Sequence, residues 1–515
     1  MTADSNPSAR LRLAFGALAA FLVAFCWSAA VATAAGQAPY APGVVVVGFA
    51  GHTAAGIRNA TLARAGMISA QPELSNVREV TLRRGVSVSE ALARLRGRHD
   101  VLWAVPDYIA HAAGASALSA EQQFPFDPMS AVDDQLVGSP FDPNDPGSSG
   151  VAGGWQQLQW NFAGQWGVGA MQAWGNLIAD GHAGGRGVTI AVLDTGVAYD
   201  NHGRYVRSPD FSASEFVAGY DFVSHSRFAN DRNGHGTQVA GTIAEQTNNG
   251  VGVTGLAYGV RLMPVRVLNA AGSGSATTIA KGVYFAVNHH AQIINLSLEF
   301  DAGTITASDI PQLIRAIGYA HSKNVLVVAA AGNDSLGQLS YPAKAPYALA
   351  VGASTVDGCL ASYSNYGGGI ALVAPGGGGD ATIPGDANCH PDVYAGASTD
   401  IYQETFADVN DPNPRVFGLP GGYFGTSMAA PHVSAAAALV IASGVLGAHP
   451  TVAAITARLE DTATPLGPDG HDDPEYFGAG LLNAAAATAP IGSTGITGTT
   501  GTTGASGATG PSGST

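Results

Sequence analysis

The sequence predicts a doubly wound α/β domain, a parallel sheet flanked by helices, preceded by a small α+β unit. Three observations point there. Beyond residue 150, apolar runs at 189–193, 261–267, 292–297, 324–330, 348–353 and 370–374 alternate with helical stretches such as 278–289 and 310–321. These runs are continuously apolar, so each is buried on both faces, as strands are when helices cover both sides of a parallel sheet. Glycine supplies 69 of the 515 residues, nearly double the ~7% average, which suits tight turns and close backbone approaches.

The length allows two or three domains at ~150 residues each. Hydrophobic residues are 46% and charged residues 12%, the reverse of the balance that keeps a chain disordered. A net charge of −15 with no Lys/Arg-rich run argues against nucleic acid or an anionic membrane surface as partner. Residues 1–111 carry 10 Lys+Arg against 6 Asp+Glu, so a basic front precedes an acidic body, which reads either as mutual attraction of the two or as drift in composition.

The elements follow in order. Arg10 and Arg12 precede a 15-residue apolar run at 13–27, then Ala32-Thr33-Ala34. That is the layout of a secretory signal peptide, assigned to residues 1–35, and it is short of the ~20 residues needed to span a bilayer. No later stretch reads as a membrane span, so a secreted, extracellular protein is expected. Residues 40–111 combine strand-like runs at 44–49, 77–82 and 101–105 with a helical stretch at 87–96, enough for a small α+β unit. Residues 112–150, with Asp142-Pro143-Asn144-Asp145-Pro146-Gly147, refuse both helix and strand and read as a linker. The α/β domain takes 151–489. Glycine then recurs every third residue from Gly492 to Gly513, but with Pro511 as the one proline of the repeat. That is too little for a triple helix, and residues 490–515 read as a flexible tail, with a trimerising stalk as the alternative. A monomer is expected.

Cys26 leaves with the signal, and Cys359 and Cys389 remain. An even pair in an exported chain reads as a disulfide, with two free thiols as the alternative. Closing a loop of this length stabilises by about 3.6 kcal/mol in the chain-entropy model.

Sites in such a sheet form beyond the carboxyl ends of the strands. Asp194 ends the run at 189–193; His235 stands between Gly234 and Gly236 at the mouth of a helix at 237–245. Ser427 precedes an Ala-rich helix at 429–441 whose start Pro431 marks. Free N–H groups at such a helix start favour an oxyanion. Taken singly, these residues read as a turn, a capping histidine and an N-cap. Together they supply a carboxylate to fix an imidazole, an imidazole to take a proton, and a hydroxyl to lose it, in the chain order Asp, His, Ser.

The chain resembles the subtilisin-like serine proteases, the subtilases, through IAVLDTGV at 190–197, NGHGTQVAGTIA at 233–244, VAAAGND at 328–334 and GTSMAAPHV at 425–433. The resemblance implies a serine endopeptidase in which Asp194 orients the base, His235 is general base and then acid, Ser427 is the acylated nucleophile and Asn333 the oxyanion-hole amide. It implies polypeptide substrates held by Ser297, Leu298 and Glu299 on one side and Ala330, Ala331 and Gly332 on the other. It makes residues 40–111 a propeptide that inhibits by placing its end in the cleft, with self-cleavage between about Ala110 and Gly150.

Three departures stand out. Gln238 replaces a second histidine. Glu299 stands where glycine is common, either as a solvated surface group or as an acid favouring basic residues near the scissile bond. Residues 376–424 form a long insertion that includes Cys389. The family's calcium loop is matched at 247–252, with Asn249 as the candidate ligand and a plain surface turn as the alternative. An esterase, or an inactive binding protein working through its tail, are the competing functions.

Overall fold

The computed structural model describes residues 39–74, 76–116, 138–391, 399–468 and 473–491. The expected signal peptide with Cys26, linker residues 117–137 and the repeat from Gly492 onward lie outside the described residues.

The front unit runs β1 (Tyr40–Phe49), α1 (Ala55–Arg64), β2 (Met67–Leu74), β3 (Val77–Leu82), α2 (Val88–Leu95) and β4 (Val101–Ala112). β1 lies between β3 and β4 with both neighbours antiparallel, and β2 pairs with the outer side of β3. Alternation along β1 turns Val45, Val47 and Phe49 to one face, where Leu62 of α1 and Leu92 and Leu95 of α2 close a small core. The Ser87 hydroxyl accepts from Glu90 N and caps α2, worth about 1 kcal/mol. On the opposite face Val46, Val77 and Val105 meet Trp103, over whose ring lies Arg315 of the body.

The body is built on seven parallel strands in the order β14-β13-β12-β10-β6-β8-β7. These are β6 (Thr189–Asp194), β7 (Tyr220–Asp221), β8 (Arg261–Arg266), β10 (Ile293–Leu296), β12 (Leu326–Ala330), β13 (Ala348–Ser354) and β14 (Ile370–Pro375). Their continuous hydrophobicity divides between two cores. Ile190, Val192, Val328 and Ala330 join α5 (His235–Ala244) and α8 (Thr426–Ser443) on one face. Ala191, Leu193, Val327 and Ala329 join α6 (Ala276–Asn288) and α7 (Pro311–Ser322) on the other.

The structure corrects two expectations here. Pro431 lies inside α8, not at its start. Having no N–H, it cannot bond the Ser427 carbonyl one turn back, and Ser297 Oγ donates to that oxygen instead, at 2.8 Å. α8 is also long and apolar enough to cross a membrane by length and composition, but 83% of it is buried inside the protein, as a core helix. At the junction of front unit and body the charged contacts run both ways: Glu79 of the front meets Lys281 of the body at 2.9 Å, and His111 Nε2 of the front stands 3.4 Å from Asp301 Oδ1 of the body.

Cys359 and Cys389 are bonded to each other, which ties the insertion to the end of β13. Residues 138–150 are seated on the body: Trp155 Nε1 donates to the Pro143 carbonyl at 3.1 Å, and Gly147 N to the Gly252 carbonyl at 2.9 Å.

Candidate active site

Asp194, the last residue of β6, is fully buried. Its Oδ1 accepts from Thr195 N at 2.6 Å and stands 2.8 Å from His235 Nδ1. His235 opens α5 after Gly234, whose φ of +106° turns the chain into the helix. A Cβ on Gly236 would stand 2.1 Å from the Gly196 carbonyl oxygen, so glycine there lets α5 approach β6 closely enough for the bond. Burial pushes the His235 imidazole down, but the Asp194 charge and hydrogen bond, with the Asp231 charge behind them, outweigh it and the net shift is upward. Asp231, which the sequence reading missed, accepts from Thr195 Oγ1 and from both N and Oγ1 of Thr237, and Thr195 Oγ1 accepts from Gly236 N. It braces the loop on both sides of the histidine.

Ser427 is the second residue of α8, and its N–H is free of a helical partner. That N–H donates to the Ala113 carbonyl at 3.0 Å. The donor and the acceptor meet because the chain leaving the front unit runs through the cleft. Ile109, Ala110 and His111 of β4 pair antiparallel with β9 (Ser273–Ser275). On the other edge His111 and Ala112 pair with β11 (Leu298–Glu299), and Ala113 N donates to the Ser297 carbonyl at 3.3 Å. Past this point β5 (Ala115–Ser116) pairs with β17 (Tyr423–Phe424). The Ala113–Gly114 peptide therefore lies between Ser427 and His235, and a Cβ on Gly114 would sit 3.3 Å from His235 Nε2.

The expected site residues divide into groups. Asp194 and His235 are bonded, whereas Ser427 Oγ donates to the Ser297 carbonyl at 3.1 Å, not to His235. Ser297, Leu298 and Glu299 hold the cleft segment by their backbone. Ala330, Ala331 and Gly332 do not bond it: Ala331 N donates to Val351 O and Gly332 N to Thr426 Oγ1. Asn333 Oδ1 accepts from Thr426 N at 2.9 Å and Thr426 Oγ1 at 3.0 Å, but its Nδ2 donates to Glu299 Oε1 at 3.2 Å, not to the Ala113 carbonyl. Glu299 is buried, so its reading as a solvated group is overturned. Burial, added to by the Asp334 charge, raises its carboxyl to about 7. Gln238 is buried in α5 and donates to the Ile401 carbonyl.

Asn249 has the carboxylate neighbours that the sequence did not reveal. Its Nδ2 donates to Asp210 Oδ1 at 2.8 Å, and the Asp145 carboxylate accepts from the N–H groups of Asn248, Asn249 and Gly250. Burial, with the charges of Asp145 and Glu404, raises Asp210 to about 8. Buried oxygens repelling one another are the chemistry that a hard divalent cation relieves. A second group, Asp357, Asp380 and His390, has ligand atoms within 4.8 Å of one another beside the disulfide. There Asp380 already accepts from Thr355 Oγ1 and His390 N, which makes it a staple of the insertion.

Comparison with known proteins assigns the class. The subtilase family, peptidase S8, matches residues 185–480, more than half of the chain, and the fervidolysin N-terminal prodomain matches residues 28–107. The chain belongs to the subtilase family and is a serine protease with an N-terminal prodomain. Among its relatives it is 39% identical over 306 residues to subtilisin Savinase of Lederbergia lenta, covering 59% of this chain and 91% of that protein. It is 38% identical over 326 residues to alkaline elastase YaB of Bacillus sp. (strain YaB), covering 63% and 70%. The structure of fervidolysin from Fervidobacterium pennivorans, a keratinolytic enzyme related to subtilisin, shares the fold with a TM-score of 0.61 at 21% identity, over 87% of this chain and 61% of that one. A protease of Pseudoalteromonas arctica aligns with a TM-score of 0.53 at 29% identity, over 67% and 98%.

Proposed function

We propose that the protein is a secreted endopeptidase made as a zymogen, that Asp194, His235 and Ser427 carry its chemistry, and that the first bond it cuts is Ala113–Gly114 of its own chain. The observation behind this is the Ala113 carbonyl accepting from Ser427 N at 3.0 Å, with the imidazole of the Asp194–His235 pair beside Gly114. Ser427 Oγ, released from the Ser297 carbonyl, attacks the Ala113 carbonyl carbon while His235 Nε2 takes its proton. The negative oxygen is received by Ser427 N and by Asn333 Nδ2, once that amide exchanges Glu299 for it. A donor in such a place is worth about 10²–10³ in rate. The C–N bond then breaks as His235 returns the proton to the Gly114 nitrogen, leaving Ala113 as an ester on Ser427. Water, deprotonated by His235, opens the ester to a carboxylate and restores the hydroxyl.

Residues 40–113 then remain as a product bound across β9 and β11, which is why the propeptide inhibits. The basis for extended polypeptide substrates is this pairing on the acyl side of the bond, together with that of β5 with β17 on the other side, which recognise backbone. A calcium ion held by Asp210 and Asn249 would clamp the loop behind α5 and supplies structure, not chemistry; a chelator should lower the melting temperature of the mature protein, and an unchanged value contradicts it. A fluorophosphonate probe tests the nucleophile: wild-type protein should be labelled and Ser427→Ala should not, whereas labelling that survives the substitution means another nucleophile.

A further inference from the structure

Against the amide and the backbone N–H of Asn333 stands a carboxylic acid that peptide hydrolysis does not require. Glu299 ends β11 at 3% exposure, and its side chain runs under the Asn333 loop. Oε2 accepts from Asn333 N at 3.1 Å and Ser340 Oγ at 3.0 Å, while Oε1 accepts from Asn333 Nδ2 at 3.2 Å.

Register fixes which way this side chain turns. Glu299 pairs with His111, and the Ser297 carbonyl takes the Ala113 N–H. Side chains alternate along a strand, so Glu299 and Ala113 share one face of the β4–β11 pair as diagonal neighbours, within reach of a long side chain. The room on that face is already taken. Gly332 has φ +109°, and a Cβ there would stand 2.6 Å from Glu299 Oε2, 2.4 Å from Ser340 Oγ and 2.3 Å from Asn365 Nδ2. The carboxyl group thus occupies the space between segments 297–299 and 330–332, and the residue the cleft holds beside it is a fully buried alanine.

We propose that Glu299 is a specificity-determining residue: it fills the space for the side chain on the acyl side of the scissile bond and restricts cleavage to bonds that follow small residues, alanine foremost. The proposal rests on the protease reading above. A leucine, phenylalanine or lysine at that position has to displace a carboxyl group held by three hydrogen bonds, and in doing so disturbs the amide that serves as oxyanion donor. Both carboxyl oxygens are engaged and the group is buried, so size, not attraction of a basic side chain, is what it imposes.

The test is kcat/KM on peptides differing only at the residue before the scissile bond (Gly, Ala, Val, Leu, Phe, Lys), for mature wild type, Glu299→Gln and Glu299→Ala. Wild type should favour Ala over Leu, Phe and Lys by roughly 10- to 200-fold, the range over which a filled pocket discriminates size. Glu299→Gln, which keeps the volume, should keep this ranking, and Glu299→Ala should gain on Leu and Phe by a similar factor. If Glu299→Ala does not mature, the wild-type ranking decides alone. Wild type that cuts after Phe or Leu as well as after Ala overturns the proposal, as does a Lys preference that Glu299→Gln removes. Fluorophosphonate labelling keeps the two readings apart: labelled wild type without a size preference sinks the role of Glu299, while unlabelled wild type sinks the protease reading itself.

Discussion

The body and the unit in front of it hold together on different terms. The body closes two cores, one on each face of a parallel sheet, with α8 buried within. The front unit closes one small core under its helices and a smaller apolar cluster against Trp103, and its edge strand β4 is completed by β9 and β11 of the body. An edge strand left open is a liability that folds avoid by covering it. Here the cover is the groove between β9 and β11, so the contact that finishes the front unit also sets Ala113–Gly114 against Ser427. Cutting that bond turns an intramolecular neighbour into a separate partner, which loses the high effective concentration of a tethered one.

The largest effect expected is that of Ser427→Ala, which should leave both parts folded and joined. Peptidase activity should fall by about 10⁶-fold, and gel electrophoresis should show a single uncut chain; normal processing in this variant would separate the cleft geometry from the cleavage. Next, replacing Cys359 and Cys389 by serine should weaken the body by about 3.6 kcal/mol and leave docking of the front unit alone, which thermal unfolding of the mature protein checks. Equal stability with and without the bridge would mean that the insertion is held by its other contacts.

A smaller effect concerns docking only. Asp107 of β4 accepts from Thr277 N at 3.1 Å and Thr277 Oγ1 at 2.8 Å, at the start of α6. Burial there, opposed by those hydrogen bonds and added to by the Glu79 charge, raises it to about 6. A carboxyl raised on docking binds a proton with it, so its contribution is fully present below the free value near 4 and is lost as pH rises through about 6. Glu79, raised chiefly by burial, acts in the same direction, while Lys281, lowered by burial to about 8, acts oppositely and only at alkaline pH. The cut front unit should therefore release faster at pH 7 than at pH 5, and Asp107→Asn should flatten that dependence, as size-exclusion after cleavage measures.

Much of the candidate site was legible because its constraints are local. Asp194, His235 and Ser427 stand in short segments whose glycines, such as Gly236, are fixed by close approach and show in the sequence. The six long strands were legible as apolar runs, since burial on both faces leaves a continuous signal. The elements that receive the cleft segment were not: β9 and β17 are three and two residues long, and their pairing spans more than a hundred positions. Asp231 and Asp210 look like any loop carboxylate until the fold brings Thr237 and Asn249 to them. Glu299 was visible as a departure, but its burial depends on Asn333 and Ser340, which approach from the loop after β12.

Which bond lies against the nucleophile is the claim on which the rest depends, and N-terminal sequencing of the processed wild-type protein tests it most directly. The mature chain should begin at Gly114. A first cleavage at a bond outside the cleft segment, such as one within the front unit or beyond residue 137, would contradict it.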